Sequence, residues 1–137
     1  IWAKNTFALG RADYHQQFEA MLYGWKAGAQ HYWCGARDQG NVRHFDKPAR
    51  NDLHPTMKPV ALVERAIRNS SKPRDTVLDC FGGSGTTMIA AERTGRRAVL
   101  LEIDPAYADV IVRRWQETTG EAAVLEGDDR IFADVAA

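Results

Sequence analysis

The residues best suited to chemistry lie in one run, Asp79-Cys80-Phe81-Gly82-Gly83-Ser84-Gly85-Thr86-Thr87, and in one acid beyond it, Glu102. Clustered glycines let a backbone come close to a ligand, and a helix starting beyond them presents unpaired N–H groups. A turn of this kind has three candidate ligands. A phosphate-gripping loop requires a lysine followed by Ser or Thr after its last glycine, but Thr86 and Thr87 follow Gly85 directly. A dinucleotide turn requires a third small residue where helix meets strand, and that position falls on Met88. Both readings are disfavoured.

The third ligand, S-adenosylmethionine, carries no phosphate and presents an ammonium, a carboxylate, a ribose diol and an adenine ring. Asp79, just before the glycines, suits the ammonium. Glu102 lies 19 residues after Gly83, where a carboxylate can accept both ribose hydroxyls. The plainer reading, two ordinary strand-end acids, is weakened because acids stand at both places around one glycine turn.

These residues need particular elements to position them. Thr76 to Cys80 reads as a short buried strand, Thr86 to Thr94 as a helix stopped by Gly95, and Ala98 to Glu102 as the next strand. That is a βαβ unit, with the acids at the carboxyl ends of two parallel strands. Upstream, Pro59 opens a helix whose apolar positions Val60, Val63, Ala66 and Ile67 recur at helical spacing until Ser70, Ser71 and Pro73. Downstream, Asp104 caps and Pro105 begins a helix that carries Tyr107, Val110, Ile111 and Trp115 on one face as far as Gly120. Ala123 to Leu125 reads as a third parallel strand. In the first stretch, 1–33, Ile1 to Lys4 and Met21 to Trp25 are two further strand candidates.

The 137 residues suit one domain, and 45% hydrophobic composition suffices for one core. With no basic-then-apolar leader and no membrane-length apolar run the chain reads as soluble, and with no disulfide framework a reducing, cytoplasmic compartment is expected. Cys34 and Cys80 are far apart and lack zinc or disulfide spacing, and the four histidines lack ligand spacing, so no metal is expected. Zero net charge hides an asymmetry. Residues 37–74 hold nine Lys and Arg against four Asp and Glu, whereas residues 100–137 hold three against nine. The middle of the chain suits a polyanion.

In this order, His54-Pro55-Thr56-Met57-Lys58-Pro59, then Asp79 to Thr87, then Glu102-Ile103-Asp104-Pro105 and Tyr107, the sequence resembles the DNA amino-methyltransferases of the β motif order. The resemblance implies a Rossmann-like, S-adenosylmethionine-dependent α/β fold. Its sheet is mostly parallel, with an antiparallel edge pair and an incomplete N-terminus. It also implies methyl transfer to the exocyclic amine of adenine or cytosine in double-stranded DNA, in a bacterial or phage setting. The implied cofactor residues are Thr56, Lys58, Asp79, Phe81, Gly82, Gly83, Gly85, Thr86, Thr87 and Glu102, with Thr56 and Lys58 beside the methionine carboxylate.

Residues 1–33 are similar to the family's sheet-edge and target-pocket region. Most of their aromatics are expected in the core, with one or two free to stack on a flipped base. Residues 34–53 occupy the family's recognition position. Arg37, Arg43, Lys47 and Arg50 there suit phosphate contacts and guanine edges on a loop.

One family feature is absent. The catalytic loop is Asp, Asn or Ser followed by Pro-Pro and an aromatic, and none of Pro48, Pro55, Pro59, Pro73 and Pro105 adjoins another. The catalytic groups are therefore expected upstream of Ile1, in the same chain or a partner segment, and homodimerisation is open. The competing reading is a cofactor- or DNA-binding remnant serving a partner chain. An enzyme for RNA or a small molecule is less favoured, because the His54 to Pro59 motif in this order belongs mainly to DNA enzymes.

Overall fold

A computed structural model describes residues 1–47 and 57–135 of the chain. The architecture is α/β. The strands β1 (Trp2–Ala8), β2 (Gln16–Glu19) and β3 (Arg43–His44) form one sheet in the order β2-β1-β3. In it β2 runs antiparallel and β3 parallel to β1. Then α1 (Val60–Ser70), β4 (Thr76–Asp79), α2 (Thr86–Thr94) and β5 (Arg97–Leu100) build a βαβ unit preceded by a helix. Strands β4 and β5 pair in parallel from Thr76 with Arg97 to Asp79 with Leu100. Two more helices follow, α3 (Pro105–Thr119) and the short α4 (Phe132–Val135).

The helix boundaries follow local chemistry. Pro59 has φ −60° and ψ 132° and sits at the cap position, one residue ahead of the first turn it was expected to enter. Gly95 takes φ 69° and donates its N–H to Ala91 and Glu92, which ends α2. Asp104 accepts from Ala106 N at 2.9 Å, Pro105 follows in the first turn, and Gly120 ends α3 at φ 77°.

Packing centres on α2, whose Ala90 and Ala91 are fully buried with Ile67 of α1, against Val60, Val63, Val77 and Ala98. Two small side chains let α1 come close to α2 above β4 and β5. The opposite side of this parallel pair carries Leu78, Val99 and Leu101, all exposed. Parallel sheets are ordinarily covered on both faces, so among the described residues this one has a covered and an uncovered side.

Three further sequence expectations change here. Met21 to Trp25 is not a strand; β1 pairs with Gln16–Glu19 instead, through an irregular register between Ala3 and Ala8. Its aromatics meet each other and the segment after them: Trp25 stacks on His31 at 4.1 Å, and Tyr23 lies edge-on to Trp33. Aromatic side chains here satisfy each other across a loop rather than across a ladder. Ala123 to Leu125 does not join β4 and β5. Val124 forms an antiparallel bridge with Ile131, closed by a turn in which Gly127 and Asp129 have φ 80° and 56°. The Glu126-Gly127-Asp128-Asp129 sequence folds the chain back before it can extend along β5. The aromatics of residues 1–33 are not mostly core either: Trp2 is 2% exposed, while Phe7, Tyr14, Trp25 and Tyr32 are exposed.

Candidate functional site

Asp79 ends β4, Glu102 stands two residues past β5, and the glycine turn spans the crevice between them. Both acids hold that turn. Asp79 accepts from Phe81 N at 3.0 Å and from Thr87 Oγ1 at 2.6 Å, so one carboxylate ties the start of the turn to the first turn of α2. Glu102 accepts from Gly83 N at 2.6 Å and Asp104 N at 3.0 Å, joining the tip of the turn to the start of α3. Gly82 N donates to Leu101 O at 2.9 Å. Each carboxylate oxygen of Asp79 accepts one of these bonds and has a second lone-pair direction.

The glycines answer to two demands. A Cβ on Gly82 would stand 2.9 Å from Ile111 Cδ1, and one on Gly85 3.1–3.2 Å from Ile111, including its Cα. Gly85 also has φ 78°. The close approach expected of a ligand is thus partly that of α3, whose buried Ile111 presses on the turn. One helical turn further along α3, Arg114 donates to Ser84 O. Burial holds its guanidinium below the ordinary value, with Glu117 opposing and Arg93 adding to the shift. Arg114 had no part in the sequence reading, although its spacing from Ile111 already puts the two on one helix face. Phe81 in the turn and Ile103 next to Glu102 are apolar but 89% and 98% exposed.

Lys58 reaches the site from the other side. Its carbonyl accepts from Thr86 Oγ1 at 3.4 Å, while its ammonium pairs with Glu19 at 2.7 Å and lies 5.7 Å from the centre of the Trp2 ring. Thr86 is buried, and its hydroxyl joins the segment before α1 to the start of α2. Thr56 and Arg50 lie outside the described residues.

The remaining basic candidates are not gathered at the turn. Arg37 lines a cavity of about 780 Å³ with His31, Trp33 and Cys34. That loop is pinned to α1 by Gln39, which exchanges hydrogen bonds with Asn69 at 3.0 and 2.7 Å and accepts from Arg65 at 2.9 Å. Arg43 was expected on a loop but belongs to β3 beside β1. Burial, and then the charge of Arg65, lower its pKa. Lys47 is anchored through its backbone N–H to Asn5 Oδ1 at 2.9 Å. Among the described residues no three His, Cys, Asp or Glu side chains are placed to hold a metal, and no helix is long and apolar enough to cross a membrane.

The chain as a whole is similar to known proteins. The N6/N4 DNA methylase family matches residues 3–113. The Type II methyltransferase M1.MboII of Moraxella bovis is 50% identical over 79 residues, covering 51% of this chain and 30% of its own length. The Type II methyltransferase M.BglI of Bacillus subtilis is 31% identical over 123 residues, covering 78% of this chain and 35% of its own. This chain thus spans about a third of the curated relatives it matches. Among solved structures, M1.HpyAVI in complex with SAM superposes with a TM-score of 0.72 at 30% identity, covering 83% of this chain and 59% of that one. The cytosine-N4-specific PvuII DNA methyltransferase superposes with a TM-score of 0.52 at 30% identity, covering 56% of this chain and 32% of that one. The fold is that of the S-adenosylmethionine-dependent methyltransferases, and with the family pattern matching most of its length the chain belongs to the N6/N4 DNA methylases.

Proposed function

We propose that the chain is the cofactor-binding part of a site-specific DNA methyltransferase acting on the exocyclic amine of adenine or cytosine. It would belong to a restriction-modification pair such as the Type II relatives suggest. The observation that carries this is the pair Asp79 and Glu102, at the carboxyl ends of adjacent parallel strands and both hydrogen-bonded to one glycine turn, Asp79 at its two ends and Glu102 at its tip. The donor set fits S-adenosylmethionine: an acid for the ammonium, an acid for the ribose diol, Lys58 for the carboxylate, and exposed Phe81 and Ile103 beside an aromatic ring. No lysine in the turn offers a phosphate a partner. When bound, the cofactor supplies a methyl carbon activated by its sulfonium. This chain's residues bind and orient it. The acceptors that would hold a flipped base in line are assigned to the family's Pro-Pro-aromatic segment, which this sequence does not contain, since positioning provides most of the advantage for a neutral amine.

The test is calorimetric titration of the chain with S-adenosylmethionine. Each charged hydrogen bond contributes about 1.5–3 kcal/mol, so Glu102→Ala should weaken binding at least tenfold. Unchanged affinity in both Asp79→Ala and Glu102→Ala would remove the cofactor assignment.

A further inference from the structure

Outside the glycine turn, a four-residue cluster joins Trp2 and Lys4 of β1, Glu19 of β2, and Lys58. Glu19 bridges both lysines, with Lys4 Nζ at 2.8 Å from one carboxylate oxygen and Lys58 Nζ at 2.7 Å from the other. Both ammonium groups also lie over the Trp2 ring, at 5.2 and 5.7 Å from its centre. Trp2 itself is fixed: its ring is buried and its Nε1–H donates to Phe45 O at 2.7 Å. A rigid aromatic floor, one anion and two cations make a platform with one positive charge in excess.

The two lysines are not equivalent in it. The Lys4 side chain is 10% exposed and that of Lys58 41%. Lys4 is therefore the buried counterion of Glu19. Lys58 is the cation that remains open to a second anion, and its own backbone touches the first residue of α2 through Thr86. A lysine on a four-carbon stem has many rotamers, and Lys4 repels it, so without an anchor its ammonium would turn to solvent.

We propose that Glu19 is a positioning residue for the cofactor: through Lys58 it fixes a cation where the carboxylate of the amino-acid part of S-adenosylmethionine arrives. This rests on the assignment of Lys58 to that carboxylate above. It links the antiparallel edge strand β2, which bears no cofactor residue of its own, to the site.

The experiment compares two ligands by calorimetry on the whole chain: S-adenosylmethionine, and 5′-methylthioadenosine, which keeps the nucleoside but lacks the amino-acid part. Glu19→Gln keeps the size and one acceptor but removes the charge. It should weaken S-adenosylmethionine roughly fivefold to tenfold and leave methylthioadenosine unchanged. Lys58→Ala should do the same, and the double variant should be no weaker than Lys58→Ala alone, because Glu19 acts only through Lys58. Equal weakening of both ligands by Glu19→Gln, unchanged or tighter binding of S-adenosylmethionine, or losses that multiply in the double variant would each overturn the proposal. The cofactor reading itself fails separately: in that case neither Asp79→Ala nor Glu102→Ala alters the affinity for S-adenosylmethionine.

Discussion

At the scale of single residues, two positions show chemistry and structure making separable demands. Gly85 is needed both for its left-handed backbone and for the room it leaves to Ile111. Gly85→Ala should therefore cost about 1–3 kcal/mol of stability in urea unfolding, and a variant as stable as the parent would show that α3 can retreat from the turn. Glu19 offers a second readout. Burial pushes its carboxyl up, but the hydrogen bonds and charges of Lys4 and Lys58 outweigh that and hold it below the ordinary 4.5. A carboxylate with a depressed folded-state pKa contributes stability that is fully present above its unfolded value and is lost as pH falls through the folded one. The stability difference between the parent and Glu19→Gln should therefore be constant near neutrality and shrink below about pH 4.5. A difference that persists unchanged down to about pH 3 would deny the ion pairs their role.

At the scale of elements, α2 is held by fit and the 34–47 segment by pins. Ala90 and Ala91 are fully buried between α1 and the strands, so Ala91→Leu should destabilise by about 1–3 kcal/mol through overpacking, measured by thermal unfolding with α1 and α2 intact. The recognition role proposed for the basic segment is testable at Arg37 and Lys47, whose side chains can be cut back without touching the β3 pairing that contains Arg43. Arg37→Ala with Lys47→Ala should weaken binding to duplex DNA of any sequence. The log–log salt slope should fall by about 0.9 for each phosphate that is no longer neutralised. An unchanged affinity and slope would move the DNA-binding surface elsewhere. The helix limits were legible because they depend on neighbours in sequence: Asp104 with Pro105, and the stops at Gly95 and Gly120, act over one turn. The pairing of β2 was not legible, since a strand's partner is chosen across the chain and the more apolar Met21 to Trp25 run looked the better candidate.

At the scale of the whole molecule, the uncovered side of β4 and β5 is the dominant feature. Leu78, Val99 and Leu101 form an apolar strip continued by Ile103 beyond β5. The isolated chain should bury this strip against another copy, sedimenting as associated species at micromolar concentration and binding a hydrophobic dye. Leu78→Lys with Val99→Thr should return it to the monomer, whereas a parent chain that is monomeric and dye-free would show that the strip is tolerated in water.

The sequence by itself determined the βαβ unit, its bounding glycines, the two acids at the strand ends and the family pattern that joins them. All of these are encoded within a turn or a motif. Where the charges settle was decided only by tertiary structure. Asp79 and Glu102 spend hydrogen bonds on the turn itself, Arg43 is drawn into a strand, and Arg114 grips Ser84. Glu19, 39 positions before Lys58 in the chain, becomes its partner. Ion pairs and packing act through distance in space, and no local pattern of residue types specifies which remote side chains folding will bring within about 3 Å.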